Sequence, residues 1–147
     1  MKPENLQLSK ELWRSGFWAP LAVFVAHVIL SLTFNAYERL PVVDIPIHFL
    51  GGIAIAFFFY RTLGILSDYD VVNRVDGLVR AVLLVALTAT AAVFWEFAEY
   101  VSDRLFGTQA QEGLEDTLLD MLLGILGGFT MVSFLWMTDD HGATRRE

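Results

Sequence analysis

Three separated stretches of this sequence carry acidic and imidazole side chains at helical spacing. Asp44 and His48 stand at i and i+4, Glu96, Glu99 and Asp103 at i, i+3 and i+7, and Asp116 and Asp120 again at i and i+4. On a helix each set shares one face. Six carboxylates and one imidazole gathered in a low-dielectric pocket repel one another unless some are protonated, paired with a cation or bound to a metal. Oxygen donors with an imidazole suit hard or borderline divalent ions such as magnesium, manganese, zinc or iron(II). The candidate ligands of one or two such ions are His48, Glu96, Glu99, Asp116 and Asp120, with Asp44 and Asp103 as additional candidates. Di-metal helix bundles present carboxylates and His in this general way, although their Glu-x-x-His element is missing here.

The elements that must position these groups follow from composition. Of 147 residues, 55% are hydrophobic and 18% charged, and the mean hydropathy is +0.51. A soluble domain of this size has a charged share nearer a quarter, so the apolar surplus must face lipid. Ten Lys and Arg against 17 Asp and Glu leave a net charge of −7, which argues against nucleic acid as a partner. With no cysteine, thiol catalysis, disulfides and thiolate ligation are excluded. The length allows one domain.

A helix crossing the hydrocarbon needs about 20 apolar residues. Ser15 to Tyr37 is free of charge over 23 residues, Ile45 to Tyr60 over 16, and Met121 to Thr138 over 18, the last entered through Asp116 and Asp120. The second run continues past Arg61, which snorkels toward headgroups. The third run is the shortest: Ala81 to Trp95 is 15 residues, about 22 Å of helix against a hydrocarbon core of about 30 Å. It crosses only if Glu96, and with it Glu99, is drawn into the membrane, where carboxylates are costly unless partnered or functional. The expected architecture is all-α: an integral membrane four-helix bundle with spans at about 16–36, 45–66, 79–101 and 116–138.

Orientation follows from the basic residues. An inside N-terminus places Lys2, Lys10, Arg14, Arg61, Arg74, Arg80, Arg145 and Arg146 in the cytoplasm and leaves Arg39 and Arg104 outside. Both termini are therefore expected to be cytoplasmic, with the acidic groups at the outer helix ends. No small-residue cleavage site follows the first apolar run, so it reads as a retained helix rather than a removed signal. Lys2 to Arg14 would lie at the inner interface with Leu6, Leu8, Leu12 and Trp13 dipping into lipid.

A plainer reading stands beside the metal site. Asp44, Asp103, Glu112 and Glu115 suit solvated helix ends, where the helix dipole favours acids at N-termini. His48, Glu96 and Asp120 could form a structural hydrogen-bond network without an ion. His27, alone in the first span, suits an interhelical hydrogen bond, and His141 lies in a polar tail. Gly51 and Gly52 follow His48 by one turn, and Gly124, Gly127 and Gly128 follow Asp120 by one turn. Small residues let helices approach closely in lipid, so the second and fourth spans should pack tightly below the polar groups.

The same residues carry a resemblance. Asp44-Ile-Pro-Ile-His48-Phe-Leu-Gly51-Gly52, then Trp95-Glu96-Phe-Ala-Glu99-Tyr, then Gln111-Glu-Gly-Leu-Glu-Asp116-Thr-Leu-Leu-Asp120-Met-Leu-Leu-Gly124-Ile-Leu-Gly127-Gly128 resemble the YjdF-like bacterial membrane proteins and, more distantly, the VanZ-like family linked to glycopeptide resistance. The resemblance covers roughly Asp44 to Val132 and implies a small polytopic inner-membrane protein; it names no reaction. VanZ-like members usually show Glu followed by Gln, then Asp and Asn, where this chain has Glu99, Asp116 and Asp120. The more acidic set leans toward metal chemistry.

Three functions are compatible with these features, and whether the chain is an enzyme stays open. The first is metal-dependent chemistry on a lipid or envelope precursor. The second is a non-catalytic accessory subunit or assembly factor, with partner membrane subunits or a second copy of the chain around it in the bilayer. The third is an ion- or proton-coupled transporter, for which four spans are few and the charges cluster on one side.

Overall fold

In lipid every backbone polar group must be satisfied within its own segment, so apolar runs of this length can only be helices. The computed structural model describes residues 3–34, 41–108, 110–111 and 113–143 and is all-helical. In chain order it contains α1 (Pro3–Ser15), α2 (Trp18–Phe34), a 3-10 turn at Pro41–Val43, α3 (Asp44–Asp68), α4 (Gly77–Phe106) and α5 (Leu114–Ala143). The expectations placed on Lys2, Tyr37, Arg39, Glu112, Arg145 and Arg146, and on the side chain of His141, lie outside the described residues.

Three helices are long and apolar enough to cross a membrane: α3, α4 and the Leu114–Thr138 part of α5. At 25 residues α3 is about 37 Å long, and α4 at 30 residues about 45 Å. Their ends are set locally. Asp76 caps α4 by accepting from the Leu78 amide at 3.0 Å, and Gly107, at φ 67°, supplies the left-handed residue that stops it.

The run expected to form the first span begins at a bend, next to the segment expected at the inner interface. α1 and α2 meet at Gly16 and Phe17 with their axes bent by 53°. Pro20 lacks the N–H that would bond the Gly16 carbonyl in a continuous helix, and Ala19 takes that carbonyl at 3.2 Å instead. Gly16 is also pressed against α3, where a Cβ would stand 3.3 Å from the Phe58 Cα. α2 alone has 17 residues; the chain has a fourth membrane-crossing element only if the bent pair acts as one.

Small residues build the interior. α3 lies closest along α5, α5 also packs on α4, and α2 rests on α3. A Cβ on Gly52 would run into the Gly124 carbonyl, and one on Gly127 into the Phe49 carbonyl, so α3 and α5 touch backbone to backbone. Gly128 turns the other way, toward Thr88 of α4. Ala54, Ala56, Leu84 and Thr88 are buried, whereas Phe94, Phe97 and Phe129 point outward. Packing of small residues inside and large apolar ones outside is the arrangement a bilayer selects.

Candidate functional site

One turn inside α3, His48 reaches both neighbouring long helices. Its Nε2 lies 3.2 Å from Asp44 Oδ1 and 3.8 Å from Asp120 Oδ1, and its Nδ1 lies 3.9 Å from Glu96 Oε1. The glycine contact between α3 and α5 sits one turn below, which fixes the separation of His48 and Asp120. His48, Glu96, Glu99 and Asp120 are all at least nine-tenths buried, with 9, 5, 8 and 3% of their surfaces exposed. Asp44, at the outer turn, is half-buried.

Two overlapping groups present ligand atoms within 4.8 Å of one another: Asp44, His48 and Asp120, and His48, Glu96 and Glu99. Glu99 is held in place by Trp95, whose Nε1 donates to Glu99 Oε1 at 2.8 Å. Glu96 is the anomaly. Both of its carboxylate oxygens are buried without a well-formed hydrogen bond among the described residues, and the Gln111 and Thr117 side chains are the polar neighbours nearest to supplying one. An acceptor-only group left this way costs on the order of 1–3 kcal/mol, more if charged. No Lys or Arg among the described residues forms an ion pair with any of these groups; Arg104 stacks over the Tyr100 ring instead, 5.2 Å from its centroid.

Two of the sequence candidates stand apart. Asp116 is one turn outside Asp120, half-buried and outside both convergent groups. Asp103 is engaged elsewhere: its Oδ1 accepts from Thr108 Oγ1 at 2.5 Å and from the Ala110 amide at 2.9 Å, and its Oδ2 from the Gln111 amide at 3.0 Å. These bonds fold the α4–α5 connection back over the helix end. They bring Gln111 Nε2 within 3.5 Å of the Glu96 carbonyl. Sequence spacing gave no sign of Gln111, whereas Trp95 stands four residues before Glu99 and was open to the same i, i+4 reasoning. His27 stands edge-on to Trp95, with ring centroids 5.0 Å apart.

Residues 13–141 match the family described as "Predicted membrane protein (DUF2238)". The chain belongs to this family. YjdF-like is a name within it, so the three motifs and the family match lead to the same group. An "Uncharacterized protein" of Thermotoga maritima is 32% identical over 111 residues, which cover 75% of this chain. The matched region spans 56% of that curated relative, a little over half its length. No solved structure matches. Family membership establishes a membrane protein; the chemistry must be argued from the buried groups.

Proposed function

We propose that this protein is a four-span bundle of the bacterial inner membrane, with both termini cytoplasmic, that holds one or two divalent metal ions at its outer end and acts on a lipid or envelope precursor. One observation carries the reading: two ligand groups share His48 between three helices, and the Glu96 and Asp120 carboxylates among them are buried with no Lys or Arg paired to them among the described residues. The donor set fits a divalent ion, since carboxylate oxygens with one imidazole are the chemistry that zinc, manganese and iron(II) accept. Asp44, Asp120 and the His48 Nε2 would hold one ion; Glu96 and Glu99 would hold a second, with the His48 Nδ1 joining them only when the shared imidazole has lost both ring protons, and Asp116 stands one turn further out.

A bound ion would polarise a phosphoryl or acyl oxygen and make a water acidic. The remaining tasks belong to the chain. Trp95 fixes Glu99 by donating to its Oε1, and a carboxylate not engaged as ligand takes or returns a proton. Orientation is supported by eight basic residues on the inner side against two on the outer in the four-span arrangement. The VanZ likeness rests on the same three motifs, from whose pattern Glu99, Asp116 and Asp120 depart, and no part in glycopeptide resistance is proposed.

Elemental analysis of protein purified without chelators tests the reading. One or two equivalents of a divalent metal are expected in the wild type and in His141→Ala, falling to background in Glu96→Ala. Metal-free wild-type protein that does not take up added zinc, manganese or iron(II) would remove it. A stoichiometric complex that keeps full function with Glu96→Gln and Asp120→Asn together would favour an accessory subunit instead.

A further inference from the structure

α2 rests on α3 and reaches α4 through Phe24 and His27, whose rings stand edge-on to Trp95 at 5.9 and 5.0 Å. Between these helices the chain leaves a cavity of about 400 Å³, within the size range of small-molecule sites. Leu21 and Phe24 wall it from α2, Gly51 and Ile55 from α3, and Ala91 and Ala92 from α4. At its polar end it is lined by His27, His48 and Trp95, the last two being the residues that contact Glu96 and Glu99 in the polar cluster. From His48 to Ile55 the cavity follows seven residues of α3, about 10 Å toward the middle of the span.

The chemistry of the walls decides what fits. Thr88 lines the cavity, but its hydroxyl donates to the Leu84 carbonyl of its own helix at 2.8 Å. The deep part therefore recognises nothing polar, while the polar end opens on carboxylates and imidazoles. An occupant must be apolar along its length and polar at one end, and it must enter from a bilayer.

We propose that this cavity takes the hydrocarbon tail of a membrane lipid whose polar head meets the His48, Glu96 and Asp120 cluster. The inference rests on the reading of that cluster as a working site and names its substrate class: an amphiphile presented tail-first, with the bond to be worked on next to the headgroup. Gly51 has a structural reason here. A Cβ at that position would meet only Val23 Cγ1, at 3.9 Å, so a larger side chain grows into the cavity rather than into a backbone, unlike one at Gly52.

The test uses full-length protein in vesicles of phosphatidylglycerol doped with a phosphatidylglycerol that carries a photoactivatable diazirine on one acyl chain. After illumination, labelled residues are mapped by mass spectrometry. Labels on Ile55, Ala91 and Ala92 should exceed those on the outward-facing Leu122 and Phe129 several-fold. Gly51→Phe should lower the cavity labels several-fold and leave those on Phe129 unchanged, and Ala91→Leu gives the same comparison where Gly51→Phe does not assemble. His48→Ala, which widens the polar end and fills nothing, should also weaken cavity labelling. Even labelling of cavity and outer face, insensitivity to the filling variants, or cross-links from a second copy of the chain in place of lipid would overturn the proposal. Metal content measured on the same samples separates the two ideas: cavity labels without metal support the lipid slot and remove the ion, and metal without cavity labels does the reverse.

Discussion

At one end of the α3, α4 and α5 core, the Arg80 guanidinium carbon lies 4.1 Å above the Tyr60 ring centroid, in a cleft of about 190 Å³ walled by Leu84, Val132 and Trp136. At the other end His48 faces Asp44, Glu96 and Asp120, with no Lys or Arg paired to any of them among the described residues. Both ends draw ionisable groups into a bundle made for lipid. The Arg80 end places one cation on an aromatic face with a long stem lying over apolar surface. The His48 end collects several acids around one imidazole. A cluster of like charges that repel one another is where an exogenous cation has most to offer.

The largest effect should come from breaking the contact that holds the acidic end together. Gly52→Leu drives a side chain into the Gly124 carbonyl and is expected to cost about 3 kcal/mol or more, as overpacking at a backbone contact does. Thermal unfolding in detergent measures it. Gly64→Ala, whose Cβ would meet nothing within 4 Å, should by contrast change stability by less than about 1 kcal/mol, in the stabilising direction.

Chelation comes next and acts on one end only. Wild-type protein held with ion at about a hundred times its Kd should lose about 2.7 kcal/mol when the ion is stripped, read as a fall in Tm. The Glu96→Gln, Asp120→Asn double variant should not respond. If both proteins respond equally, the acidic end is no more dependent on an ion than the Arg80 end.

Smaller effects separate neighbours. Asp103→Ala removes the acceptor for Thr108, Ala110 and Gln111 at an exposed helix end and should cost about 0.5–1.5 kcal/mol of stability while metal content stays at the wild-type level. Loss of the metal with Asp103 would enlarge the site. Arg80→Met should cost about 1 kcal/mol, the worth of a partly desolvated cation on a ring, with metal content again unchanged.

Much of this contrast was legible before any coordinates. The 15 apolar residues of Ala81 to Trp95 are too few to cross, and that shortage points Glu96 inward; the structure leaves it 5% exposed. Charge-free runs locate the long helices because in lipid the backbone has no alternative to the helix. The glycines announced close packing, but spacing could not assign their partners. Gly124 and Gly128 read as one GxxxG face, and a Cβ on either would meet α4, at Ala92 and Thr88, while α5 touches α3 through Gly127 and the Gly124 carbonyl.

The bend at Gly16 falls where the interfacial segment ending at Arg14 was expected to give way to the first span, and Pro20, which lacks the N–H to bond Gly16, supplies its cause. Gln111 and the second role of Asp103 depend on how a loop folds back, a long-range outcome that no periodicity encodes. The cavity between α2 and α4 is likewise a product of tertiary packing, since it exists because α2 leans on α3.

Anomalous diffraction from crystals grown without chelator, recorded above and below the absorption edge of the metal that the protein retains, tests the central claim most directly. The account predicts a peak within bonding distance of His48 and at least two of Asp44, Glu96, Glu99 and Asp120, absent in Glu96→Ala. Ordered side chains at those positions with no peak, in crystals soaked with zinc or manganese, would contradict it.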